Sequence, residues 1–161
     1  MLTYDWLPFL EQWSRDLIEA AQIGDCVLSA KAIESGWIGQ PGATEPQLTT
    51  LEAYLGYTLP ASYRQFLAIT NGWHIDADDI HLDLWDTEHV DWFRTTNRDW
   101  LDIWEDIYNR DANLDEDPPE VLLSMRTAAQ IGTGHDSRVY WLDAGDVTEH
   151  GEWWAWMFAS G

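Results

Sequence analysis

The chain has 161 residues, 29 of them acidic and 8 basic, for a formal net charge of −21 with Lys31 the single lysine. Such a balance repels nucleic-acid phosphates and anionic lipids and favours cationic surfaces, so direct nucleic-acid or membrane binding is not expected. Twelve tryptophans exclude a disordered chain, no stretch approaches the roughly 20 apolar residues of a membrane span, and the single Cys26 leaves no internal disulfide.

In chain order, the start MLTYDWLPF has neither a basic region nor an apolar run, so no signal peptide is expected and the location reads as cytoplasmic. Trp6, Leu10, Trp13, Leu17 and Ala21 recur at helical spacing and predict an amphipathic helix over 5–22, with Asp5 as N-cap. Cys26 reads as a small buried hydrophobe, because no basic neighbour marks it as a reactive thiol. Gly39, Pro41 and Gly42 make the stretch after Trp37 a loop, with Trp37 and Ile38 tucked over the core. Leu48, Leu51 and Leu55 then share one helix face, and Gly56 follows where helices commonly end in a left-handed residue. Pro60 opens a second helix with Leu59, Tyr63, Phe66 and Leu67 on one stripe, and Asn71-Gly72 closes it.

The texture then changes. Asp76 to Glu120 holds 16 acidic and 3 basic residues, a net −13 of the chain's −21. Within it Ile80, Leu82 and Leu84 alternate with polar neighbours as in a strand, Asp99 to Arg110 reads as a helix, and Asp111 to Pro119 as an acidic loop. Val121–Leu123, Ala128–Ile131 and Val139–Leu142 read as short strands, with a hairpin loop at 133–137 and a final strand over Trp153–Phe158. The order of elements predicts an α+β fold, with N-terminal helices packed on a mainly antiparallel sheet formed by the C-terminal half, and 1–161 as a single domain.

The residues Glu52, Leu55, Gly56, Leu59, Pro60, Ser62, Tyr63, Phe66, Leu67, Asn71 and Gly72, in the order E-x-x-L-G-x-x-L-P-x-S-Y-x-x-F-L-x-x-x-N-G, resemble the signature of the SUKH superfamily. That group includes fungal cell-wall regulators and many bacterial immunity proteins of polymorphic toxin systems. The segments GWIGQPGAT (36–44) and GEWWAWMFAS (151–160) are similar to those of a bacterial subgroup. Such relatives usually continue past the Phe-Ala-Ser segment with an apolar helix; here the sequence stops at Ser160-Gly161, so that helix is absent or the chain is a truncation. In its absence Trp154, Trp156 and Phe158 are expected to present apolar surface for a partner or dimer contact.

No nucleophile elbow, P-loop, dinucleotide fingerprint or zinc-protease motif is present, so no catalytic residue and no cofactor is expected. Asp76, Asp78 and His81 are the nearest approach to a metal site, and a small hydrolase built on His74–His81 is the corresponding enzymatic reading. Without the glycine and terminal glutamate of a calcium loop, the segment reads as solvated. Trp6, Trp13, Trp100, Trp104 and Trp141 fit core positions. Trp73, Trp85 and Trp92 stand beside carboxylates and suit either burial or an interface, where they would pack a cationic side chain.

The resemblance and the charge together imply a non-enzymatic immunity protein that binds a cognate toxin domain with a basic, nucleic-acid-facing surface, as a monomer or weak dimer. The expected contacts are Asp76, Asp78, Asp79, Asp83, Trp85, Asp86, Glu88, Asp91, Trp92, Asp115, Glu116 and Asp117. Two alternatives remain: a cytoplasmic regulatory or scaffold module that binds a cellular protein, and an acidity that reflects a salty environment rather than a partner.

Overall fold

The computed structural model describes residues 4–24, 27–77, 80–111 and 118–159. Cys26, Asp78, Asp79, Asp115, Glu116 and Asp117, each the subject of an expectation above, lie outside them.

The first half is helical: α1 (Trp6–Gln22), α2 (Ala30–Ser35), α3 (Glu45–Leu55) and α4 (Ala61–Ile69). Asp5 stands at the N-cap of α1 but its side chain makes no capping bond. Gly56 ends α3 at φ 74°, as its position predicts. Glu52 explains the motif between α3 and α4. Its Oε1 accepts the Leu59 backbone N–H at 3.1 Å and the Arg64 Nε–H at 3.3 Å, so one carboxylate pins the turn and the following helix. Arg64 also pairs with Glu45 at the start of α3.

The strands are β1 (Trp73–Ala77), β2 (Ile80–Leu84), β3 (Asp91–Trp92), β4 (Ala128–Gly134), β5 (Arg138–Val147) and β6 (Trp153–Phe158). They form one antiparallel sheet in the order β1-β2-β4-β5-β6, with β3 also paired to β4. Three further helices complete the described elements: α5 (Phe93–Thr96), α6 (Arg98–Asp111) and α7 (Glu120–Thr127). The architecture is therefore α+β.

Successive strand residues point to opposite faces, and the two cores follow that alternation. Leu142 and Ala129 join the larger core with Leu10, Leu17, Leu48, Leu51, Phe66, Leu67, Trp73 and Ile75, so α1, α3 and α4 cover one face. Trp141 and Ala128 turn the other way, onto Phe93, Met125, Trp100, Trp104 and Val121. Helices α5, α6 and α7 thus cover the second face, a layer the sequence reading did not anticipate.

One element is corrected. Val121–Leu123 is not a strand but the first turn of α7. Pro119 stands at its N-cap, and Val121, Leu122 and Met125 turn inward at helical spacing, the last two fully buried. Three apolar residues in a row carry no period, so the short run itself does not separate strand from helix. The hairpin is present but its loop is shorter than expected: Thr133 and Gly134 belong to β4, paired with Val139 and Arg138, and the turn is His135–Ser137, with Asp136 and Ser137 both at positive φ (55° and 56°).

Candidate functional site

Within the acidic middle of the chain, residues 85–90 connect β2 to β3. Trp85 extends the β2–β4 pairing through its N–H to Ile131 O at 2.8 Å. A tight turn follows. Asp86 Oδ1 accepts the backbone N–H groups of Glu88 (2.9 Å) and His89 (3.1 Å), and the His89 imidazole Nδ1–H at 2.7 Å. The next residue, Thr87, donates its N–H to Asn71 Oδ1 at 2.9 Å. Gly72 lies at φ 101°, and a Cβ there would come within 3.2 Å of Leu84 O. The Asn71-Gly72 pair is therefore more than a helix stop: it seats the acidic turn.

The turn forms a ridge between two depressions. On one side a groove of about 580 Å³ runs between α3 (Pro46, Gln47, Thr50, Leu51, Tyr54) and Thr87, Glu88, Val90 and Asp91. Tyr54 crosses it, donating its hydroxyl to Asp91 Oδ1 at 2.7 Å. That bond, with a smaller effect of desolvation, raises the Tyr54 hydroxyl above its ordinary range. On the other side a pocket of about 300 Å³ is lined by His74, Asp83, Trp85, Asp86 and His89 with Gln40 and Asn71 behind them. Partial burial pushes the Asp86 carboxyl up, but the His89 imidazole and the two backbone N–H groups outweigh it and hold it below the usual carboxylate range. The same contact raises His89.

The structure places the described candidates in three neighbouring settings. Asp76 and Asp83 lie on the exposed face of the β1–β2 hairpin, where Asp83 faces His74 at 3.4 Å and Asp76 faces His81 at 3.5 Å. Trp85 and Asp86 line the smaller pocket, while Glu88 and Asp91 line the larger groove. Trp92 is half-buried. Its ring meets Tyr57 edge-on at 5.8 Å, and the chain's own Arg94 sits over it at 5.0 Å. The cation–π position is thus taken from within.

Trp73 is core, 1% exposed and stacked on Trp13 at 5.5 Å. At the sheet edge Trp154 is exposed, whereas Trp156 and Phe158 are half-buried against Trp141, Trp100 and Trp104. No three His, Cys, Asp or Glu side chains converge on a possible metal position among the described residues.

A model of the SMI1 / KNR4 family (SUKH-1) matches residues 42–161. The chain belongs to the SMI1/KNR4 (SUKH-1) family. The match spans the whole sheet, α3 and α4, and the Glu52–Gly72 motif whose contacts are described above; α1 and α2 precede it. No curated protein matches the chain. Among the described residues, no helix of this SUKH protein is long and apolar enough to cross a membrane.

Sequence reasoning missed two parts of the site. One is the α3 wall of the groove: Thr50 and Tyr54 are on the exposed side of a helix otherwise known by its leucine stripe, and an aromatic at position 54, off the Leu48–Leu51–Leu55 stripe, is the signal that was available. The other is an aromatic cavity of about 430 Å³ between α1, α4 and the sheet, walled by Trp6, Phe9, Trp13, Tyr63, Phe66 and Trp153. Tyr63 lines it with a buried hydroxyl that has no hydrogen-bond partner among the described residues, and burial, with the Asp86 charge adding, pushes that hydroxyl far above its ordinary range.

Proposed function

We propose that this SUKH protein is a non-enzymatic immunity protein, a single domain over 1–161, that binds and neutralises a cognate toxin domain with a basic, nucleic-acid-facing surface. The observation that carries the reading is the acidic ridge itself. Asp86, Glu88 and Asp91 stand between two open depressions, fixed by Asn71-Gly72 of the family motif, within a segment of net −13. An acidic surface fixed before binding offers carboxylates to lysines and arginines of a phosphate-binding cleft without a cost of ordering them.

The contact set is Asp76, Asp78, Asp79, Asp83, Trp85, Asp86, Glu88, Asp91, Trp92 and Asp115–Asp117. Rim pairs among them add on the order of 0–1 kcal/mol each, and centrally desolvated ones more. Membership of a family compatible with partner binding supports the reading, and the protein acts in the cytoplasm as a monomer or weak dimer.

The test is co-expression with the product of the neighbouring gene. Rescue of growth and co-purification, with an association rate that falls steeply as salt rises, is the expected result. A basic toxin bound at a rate indifferent to salt contradicts it. An isolated locus whose protein captures a cellular regulator instead supports the scaffold alternative.

A further inference from the structure

We propose that the groove between α3 and Thr87–Asp91 is a subsite for one arginine side chain of the partner protein, an inference that rests on the partner-binding reading above. Its volume of about 580 Å³ lies within the ~300–1,000 Å³ range of sites that enclose a ligand group. The floor is apolar: Leu51 and Val90 are 2% and 3% exposed and line it. The wall carries two carboxylates, Glu88 and Asp91. Asp91 is held in place, because Oδ1 accepts both the Tyr54 hydroxyl (2.7 Å) and the Trp92 N–H (2.6 Å), while Oδ2 accepts no hydrogen bond among the described residues.

Thr87 lines the same groove, is 8% exposed, and its Oγ1 has no hydrogen-bond partner among the described residues, although its backbone N–H is taken by Asn71. A buried hydroxyl left unpaired is costly, but this oxygen is closed off from the groove, so the polar groups that face a ligand there are the carboxylates.

The chemistry selects the occupant. An acidic side chain is repelled by Glu88 and Asp91, and an apolar one would desolvate them with nothing in return. A guanidinium offers five N–H donors in a planar fork, enough for both carboxylates together, and its aliphatic stem lies on the Leu51–Val90 floor. Lysine brings only three donors and a more strongly hydrated charge. Arg94 is on the Trp92 ring and forms no ion pair with Glu88 or Asp91 among the described residues.

The experiment is a titration of the ¹⁵N-labelled full chain with N-acetyl-arginine amide, followed by amide chemical shifts, at an ionic strength of about 0.15 M so that diffuse attraction is screened. The expected result is a saturable shift concentrated on Thr50, Tyr54, Thr87, Glu88 and Asp91. N-acetyl-norleucine amide should bind at least about tenfold more weakly. Thr50→Trp, at an exposed α3 position, should abolish the response by filling the groove, and Asp91→Asn should weaken it about tenfold. Three results overturn the subsite: shifts as large on the α6 carboxylates Asp99, Asp102 and Asp106 as on the groove, no shift in the groove, or equal binding of norleucine. None of these removes the broader proposal, which toxin co-purification decides; a groove that takes the probe in a protein with no toxin partner leaves the subsite standing alone.

Discussion

Glu152, on the turn entering β6, caps a helix 90 residues away: its carboxylate accepts the Ser62 hydroxyl at 2.5 Å and the Ser62 N–H at 3.2 Å. Helix α4 needs the help, because its N-cap residue is Pro60, which has no side-chain acceptor to offer the first orphan N–H groups. The negative charge also opposes the positive end of the helix dipole. On the other side of the same residue, Trp6 of α1 donates its indole N–H to Ser62 O at 2.7 Å. One short turn therefore joins α1, α4 and the edge of the sheet.

Replacing Glu152 by alanine is expected to lower stability by about 1 kcal/mol, the usual cost of a lost N-cap. Glu152→Gln keeps an acceptor and loses the charge, so it should fall between the two. Urea midpoints of the three proteins test the order; equal midpoints would mean that Ser62 is capped equally well by solvent.

Gly42 and Gly56 should respond differently to alanine. A Cβ on Gly42 would lie 2.0 Å from Ala68 O, a backbone atom that is fixed by the neighbouring Ala43 N–H to Leu67 O bond of 2.7 Å. Gly56 faces open space and costs only its left-handed conformation, about 1–2 kcal/mol. Gly42→Ala is expected to cost more than Gly56→Ala, at or above the ~1–3 kcal/mol of an overpacked core. Denaturation of both variants decides it, and a milder Gly42→Ala would refute a rigid seat for the loop.

The Asp86–His89 pair predicts a pH dependence with two limbs. His89 is raised above 6.5, so its contribution is complete below that value and is lost as pH rises through the folded pKa. Asp86 is lowered below 3.8, so its contribution is complete above that value and is lost as pH falls through the folded pKa. Side-chain NMR should show the His89 imidazole titrating above 6.5 and returning toward it in Asp86→Asn. An unchanged His89 in that variant would show that the 2.7 Å contact does not persist in solution.

Two tryptophans mark the extremes of the aromatic content. Trp73 is 1% exposed, between Trp13 and Trp37, and Trp73→Ala should cost about 3–5 kcal/mol, much of the ~5–15 kcal/mol available to a domain. Trp154 is 56% exposed on the edge strand, and Trp154→Ala should stay within about 0.5 kcal/mol. A large loss at Trp154 measured together with a change in oligomeric state would place that edge in a contact between copies.

Helices α1, α3 and α4 were readable because their signals are local, whereas the six-residue α2 was not anticipated. The leucine stripe of α3, the left-handed Gly56 and the Pro60 start each act within one turn of chain, and each appears where its spacing places it. Val121–Leu123 misled because three adjacent apolar residues have no period, and Pro119 ahead of them became a helix start. The role of Trp92 was half legible. Its neighbours announced a cation, but which cation takes the ring depends on the turn into α5 that brings Arg94 over it.

By itself the sequence determined the family, the α+β class and the sign of the charge, since motif order, periodicity and composition are properties of the chain as written. Only the tertiary structure decided what the acidic segment is. Asn71 and Thr87 stand 16 residues apart and Tyr54 and Asp91 stand 37 apart, so no local rule links them. Hydrogen bonds between elements that meet only after the sheet has formed turn a run of carboxylates into a ridge with a groove on either side.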